Sequence, residues 1–220
     1  KLIEYFESPE NLYNASKEEF KHVEKILGHN LMDLLQELRK DEELDKARKI
    51  VEQPDMTVLT LLSPEYPPLL KSIYDPPPVL YCKGKPLISD KPAIAIVGSR
   101  LSSEYGRRTA AKIAYDLAKA GVTVVSGMAR GIDTMAHKGA LEVEGGYTIA
   151  VLGCGVDYIY PAENATLYHA IFKHGTIISE YPPGTAPTPG NFPARNRIVS
   201  GLSYGTVVIE AGLKSGALIT

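Results

Sequence analysis

A chain of 220 residues, 44% hydrophobic and 23% charged, can bury a sizeable core in one large domain, or in a medium domain with a small companion. Its formal net charge of −2 gives no global sign of nucleic acid. No apolar run reaches membrane-span length, and no signal-peptide pattern opens the chain. The charge is unevenly divided. Residues 1–55 hold 9 Lys/Arg against 14 Asp/Glu, and residues 56–220 hold 15 against 12, so an anionic partner is expected on the second part. The two cysteines, Cys82 and Cys154, have neither metal-site spacing nor a disulfide framework, which suits a reducing cytoplasm. A chain that starts at Lys1 and stops within the apolar "GALIT" reads as a piece of a longer protein.

Residues 1–53 contain only Gly28 as glycine and carry apolar residues at helical spacing. Ser16 with Glu19 forms a capping box ahead of "FKHVEKIL", and "LMDLLQELRKDEELDKARKIVEQ" predicts a long amphipathic helix. A small helical bundle over residues 1–55 is the expectation. Pro54 closes it. The segment up to "KGKP" has two short strand-like runs, Val58–Leu61 and Val79–Lys83, expected at a sheet edge. Pro76, Pro77 and Pro78 forbid helix between them.

From residue 93 the chain alternates. "AIAIVG" reads as a buried strand, and "VTVVSG", "TIAVLG", "TIISE" and "GTVVIEA" read as strands. "SEYGRRTAAKIAYDLAKAG", "IDTMAHKGALEVEGG", "NATLYHAIFKHG" and "PARNRIVSGLS" read as the helices between them. The fold class is therefore α/β: a Rossmann-like parallel sheet with helices on both faces, over residues 56–220, preceded by the small all-helical domain.

In such a sheet, ligands bind beyond the carboxyl ends of the strands. There the sequence places Gly98-Ser99-Arg100, Ser126-Gly127 running to Arg130, Gly153-Cys154-Gly155, Ser179-Glu180, and Gly212 to Gly216. Small residues let backbone approach a ligand, free N–H groups attract anions, and Arg100, Arg130 and Lys214 add cations. Together they describe a phosphate-binding rim. A Walker motif is absent, and "GCGVDY" lacks the third glycine of a dinucleotide fingerprint. Pro193 suits a first helical turn. Phe192 reads either as a hydrophobic staple or as a stacking platform for a base. Arg195 and Arg197, two apart on a helix, point to opposite sides. One faces the ligand, and the other pairs with an acid such as Glu180 or Glu210. Catalytic constellations are poor. His137 reads as a packing residue, Asp133 as a first-turn carboxylate, and Glu210 as a lone acid/base candidate or arginine partner. No metal or cofactor is expected.

The motifs "AIVGSR", "SGMARGIDTMAH", "VLGCGVDYIYPAEN", "ISEYPPG", "FPARNRIVSGLS" and "VIEAGLKSGALIT" resemble, in order and spacing, the DNA processing protein A family, DprA or Smf, across about residues 56–220. The helical front more loosely resembles that family's SAM-like, helix-hairpin-helix-like domain. The resemblance implies a cytoplasmic, homodimeric, non-catalytic protein that binds single-stranded DNA. Such a protein would protect incoming DNA and load RecA in natural transformation. It also implies DNA-binding roles for Gly98, Ser99, Arg100, Ser126, Gly127, Arg130, Phe192, Asn196, Arg197, Lys214, Ser215 and Gly216. The alternative is an enzyme of the same superfamily, resembling nucleoside monophosphate phosphoribohydrolases. Their catalytic glutamate falls near Thr220, which is no carboxylate.

Overall fold

The computed structural model describes residues 2–27, 33, 39–212 and 215–220. It divides into two compact units, residues 1–53 and 54–220.

The first unit has helices α1 (Leu2–Phe6), α2 (Pro9–Asn14), α3 (Lys17–Leu27) and α4 (Asp41–Val51) among its described residues. Two of these starts have side-chain caps. Ser8 accepts from Asn11 N–H at 3.0 Å to cap α2. The Ser16–Glu19 capping box closes ahead of α3, with Glu19 Oε2 accepting from Ser16 N–H at 2.7 Å and Ser16 Oγ accepting from Glu19 N–H at 3.3 Å. Phe6, Ala15, Phe20 and Val23 form the core. Of the long helix expected over residues 31–53, residues 31, 32 and 34–38 lie outside the described residues. α4 begins only at Asp41, after a turn at Arg39–Lys40.

The second unit is built on a seven-stranded sheet in the order β1-β2-β6-β5-β4-β3-β7. Its strands are β1 (Met56–Thr60), β2 (Val79–Gly84), β3 (Ala93–Gly98), β4 (Thr123–Ser126), β5 (Thr148–Val151), β6 (Thr176–Ser179) and β7 (Gly205–Ile209). The expected strands are all present, but the sheet is mixed. β3 to β7 are mutually parallel, while β2 runs antiparallel to both β1 and β6. A parallel return needs a long crossover, usually helical. Between β1 and β2 the prolines leave room only for the four-residue α5 (Pro68–Lys71), and the chain doubles back.

Every residue of β4, β5 and β6 is buried, the burial expected of strands covered on both faces. Side chains alternate between faces. Ile96, Val124, Ala150 and Ile177 lie on the side of α6 (Glu104–Lys119), α7 (Ile132–Leu141) and α8 (Ala165–His174). Ala95, Val97, Val125, Val151 and Ile178 pack with Leu70 of α5 and with Ile198 and Val199 of α9 (Asn191–Gly201). The small residues of α6, Ala110, Ala114 and Ala118, recur every fourth position and let α7 approach closely. A methyl group at Gly139 would stand 2.2 Å from the Ala111 carbonyl oxygen.

Candidate nucleic-acid interface

The strand order fixes where the site lies. From β3 the chain builds outward through β4, β5 and β6, then returns to place β7 on the other flank of β3. That reversal is a topological switch point, where loops diverge beyond the carboxyl ends. A cleft of about 710 Å³ opens there, bordered by residues from Val97–Leu101, Ala129, Asp133, Tyr160, Pro189–Asn196 and Gly212–Thr220.

Gly98 is a glycine because β7 runs against it: a Cβ would sit 2.0 Å from the Ile209 carbonyl oxygen. Ser99 N–H donates to that oxygen at 3.3 Å, and Ser99 Oγ accepts from Leu101 N–H at 3.1 Å. The turn leaves Arg100 exposed, its guanidinium carbon 5.7 Å from the Phe192 ring centroid. Glu210, at the end of β7, accepts from Ser103 N–H at 2.7 Å and from the Ser103 hydroxyl, which itself caps α6. These bonds hold its carboxyl below the usual range. Glu210 thus ties the β3 and β7 loops together and is partner to neither Arg195 nor Arg197.

After β4 the backbone turns through Met128 and Gly131, both with positive φ. Asp133 organises this turn, accepting from Gly127 N–H at 3.1 Å and Ala129 N–H at 3.3 Å. It is buried and borders the cleft, and burial pushes its carboxyl above the usual range. Ser126 is placed apart from the cleft lining. Its buried hydroxyl donates to the Ile96 carbonyl at 2.6 Å, so it serves the sheet and lies away from the cleft. Arg130 is on the rim of a side pocket of about 60 Å³, ion-paired with Glu163 at 2.7 Å.

α9 starts at Asn191, two residues before Pro193, so Phe192 lies in its first turn. The Phe192 ring packs over Gly153, where a Cβ would come within 2.9 Å of Cδ1. Its centroid lies 5.3 Å from that of Tyr160, which is 44% exposed. The two arginines divide as their spacing requires, one towards the cleft and one towards an acid. Arg197 donates to both oxygens of Glu180, at 2.7 and 2.6 Å, and lies 3.2 Å from Asp75. It is a structural tie outside the cleft lining. Arg195 borders the cleft instead, only 4% exposed, with Nη1 donating to the Gly127 carbonyl at 2.8 Å and to the Val151 carbonyl. Burial lowers its pKa. Asn196 anchors the β7 loop through Nδ2 to the Gly216 carbonyl at 3.0 Å. Ser215 Oγ accepts from Ala217 N–H at 3.2 Å, opening a short 3-10 turn over Gly216–Ile219. Lys214 lies outside the described residues.

The cleft therefore assembles Gly98, Ser99, Arg100, Phe192, Asn196, Ser215 and Gly216. Gly127 and Arg130 fall on the side pocket, which shares Arg100, Tyr160, Phe192 and Arg195 with the cleft. The expected set omitted Tyr160, Asp133 and Arg195. Tyr160 had a signal in "YIYPAEN", an aromatic just beyond a strand end.

The family model for DNA recombination-mediator protein A matches residues 57–220. Protein Smf of Synechocystis is 43% identical over all of this chain and 56% of its own length. DNA processing protein DprA of Bacillus subtilis is 43% identical over 75% of this chain and 56% of its own length. This chain thus spans about half the length of these curated relatives. The X-ray structure of DNA processing protein A from Streptococcus pneumoniae superposes with a TM-score of 0.83 at 36% identity, covering 100% of this chain and 74% of that one. The Helicobacter pylori DNA processing protein A structure, described for its single-stranded DNA binding mode, gives 0.68 at 36% identity, covering 74% and 73%. With three quarters of its length inside that family model, this chain belongs to the DNA recombination-mediator protein A family.

Proposed function

We propose that this chain is a single-stranded DNA-binding protein that works in DNA processing during natural transformation and recombination. The observation that carries the reading is one cleft, at the β3/β7 switch point, that holds an exposed cation beside an aromatic pair: Arg100, Phe192 and Tyr160. Phosphates of an extended strand are drawn to Arg100, Arg130, Lys214 and the backbone of Gly98, Ser99, Ser215 and Gly216. A base stacks on the aromatic wall, a mode open to every base and closed to bases already stacked in a duplex. The family membership and the single-stranded DNA binding mode described for the H. pylori protein support this reading. Homodimerisation, delivery of the strand to RecA and a cytoplasmic location belong to the same proposal. Among the described residues, no helix is long and apolar enough to cross a membrane.

A base-releasing enzyme is the weaker reading. Thr220 borders the cleft where that chemistry calls for a carboxylate, and Asp133, the one carboxylate among the described lining residues, is held by two backbone N–H groups. Fluorescence anisotropy with labelled oligo-dT, with the matching duplex and across a salt series, tests the proposal. Salt-sensitive binding that prefers the single strand supports it. Equal affinity for both forms, or none at low salt, overturns it, and release of base from nucleoside monophosphates would then favour the enzyme.

A further inference from the structure

Arg195 is the deepest cation in the second unit to touch the cleft. Four-hundredths of its surface is exposed, yet it borders both the main cleft and the side pocket. Its donors are unequally engaged. Nη1 serves the carbonyls of Gly127 and Val151, and Nε reaches Asn196 Oδ1 at 3.3 Å. Nη2 donates to no acceptor among the described residues, and Arg195 makes no ion pair with any of them. By contrast Arg197, two residues on, is saturated by Glu180 and Asp75.

The buried Asp133 carboxylate is the nearest opposing charge to Arg195 but makes no direct ion pair with it. A buried guanidinium with a free donor and no contacting anion is costly. It is tolerated where an anion arrives to complete it. A neutral base carbonyl satisfies the free donor but leaves the charge, whereas a phosphate oxygen does both and makes a shorter, stronger bond. The fork is also pre-oriented, because two main-chain carbonyls from the ends of β4 and β5 fix Nη1. The carboxylate sharing the cleft is Asp133. Its Oδ2 is turned to backbone N–H groups of Gly127 and Ala129 rather than to the free Nη2 donor.

We propose that Arg195 is the buried anchor for one phosphodiester of the bound strand, with Nη2 donating to a non-bridging oxygen at the floor of the cleft. The inference rests on the single-strand reading above and adds to the rim cations one contact made in depth. It makes the strand dip into the cleft at one nucleotide instead of lying across its mouth.

The test titrates full-chain protein, labelled with ¹⁵N-arginine, with an oligo-dT strand, and measures salt slopes for Arg195→Gln and Arg195→Lys. The Arg195 side-chain resonances are expected to shift at saturating strand. Folded Arg195→Gln should bind more weakly, with a salt slope shallower by about 0.7, the value of one single-strand phosphate. Arg195→Lys should recover the slope more than the affinity. If either substitution prevents folding, the wild-type spectrum decides alone. Arg195 resonances that stay put while those of Arg100 move would overturn the inference and leave the single-strand reading standing. So would a folded Arg195→Gln with the wild-type slope, which would mark a base contact or a purely structural role. Wild-type protein that leaves oligo-dT unbound would remove both.

Discussion

Arg197 grips Glu180 with two parallel hydrogen bonds, Nη1 to Oε1 at 2.7 Å and Nη2 to Oε2 at 2.6 Å, and both side chains are mostly buried, 27% and 16% exposed. The pair locks the loop after β6 to the helix that follows it. Hydrogen bonding to Glu180 raises the arginine's pKa, so it stays charged at any working pH. Removing one partner strands the other in a half-buried site. Arg197→Ala should therefore cost about 1–3 kcal/mol of stability, between an exposed and a fully buried pair. DNA binding by the folded variant should keep its salt slope. A denaturant titration beside an anisotropy salt series checks both, and a shallower slope would put Arg197 on a phosphate after all.

The aromatic wall gives a second expectation. The chain contains no tryptophan, so Tyr160→Trp introduces a solitary fluorophore beside Phe192. Its emission should be quenched when oligo-dT binds. Phe192→Ala should lose about 1–3 kcal/mol of binding, the usual worth of one stacked base. Arg100→Ala should weaken binding at every sequence and flatten the salt slope by about 0.7, one single-strand phosphate. Quenching that is absent at saturation would place the strand elsewhere.

Gly98 and Gly131 are fixed by close approach of two strand ends. At Gly98 even one methyl group meets the Ile209 oxygen. At Gly131, with φ of +73°, it meets the Ser99 oxygen at 2.3 Å. Gly98→Ala should push β7 from β3 and lose both stability and DNA binding, with a midpoint drop visible in thermal melts. Gly190→Ala, where nothing lies within 4 Å, is the matched control that should change little.

His137 predicts an acid limit. It is fully buried, its Nδ1 hydrogen-bonded to Thr148 Oγ1 at 2.7 Å, and burial pushes its pKa down to about 3. The unfolded chain takes up the proton near pH 6.5 while the folded chain does not. Stability should therefore fall as pH drops from about 6.5 towards 3, by at most about 1.4 kcal/mol per pH unit from this residue. His137→Gln should flatten the curve in that window. Urea midpoints measured from pH 4 to 7 for both proteins read the difference, and parallel curves would absolve the histidine.

Both thiols should be inert in the folded state. Burial pushes Cys82 up to about 12 and Cys154 up to about 11, so almost no thiolate is present at neutral pH. Iodoacetamide should label neither until denaturant is added. Rapid native labelling of Cys154 would reveal an opening of the loop after β5.

Much of this was legible in the residues. Buried parallel strands announce themselves as short apolar runs between glycines, and β3 to β7 were placed to within a residue or two. The β1–β2 excursion was visible, but its direction was not, because antiparallel pairing with β6 depends on a partner a hundred residues downstream. Strand-end loops pointed to a shared rim, and Gly98, Arg100, Phe192 and Ser215 meet there. Helical spacing says that Arg195 and Arg197 diverge, but not which side is the cleft. That is settled by where Glu180 and the Gly127 carbonyl lie. Nor does sequence show that the hydroxyl of Ser126, a serine at a strand end, is bonded to the neighbouring strand.

The placing of β7 has a consequence for synthesis. The cleft's two flanking loops are joined by the Ser103–Glu210 bond, between residues 107 positions apart. A ribosome delivers β3 to β6 with their helices well before β7 emerges, and parallel pairing between them can already proceed. What the nascent chain lacks until residue 210 has cleared the exit tunnel is one whole side of the binding site. On the single-strand reading, affinity for nucleic acid is thus withheld until β7 and the loop after it have emerged.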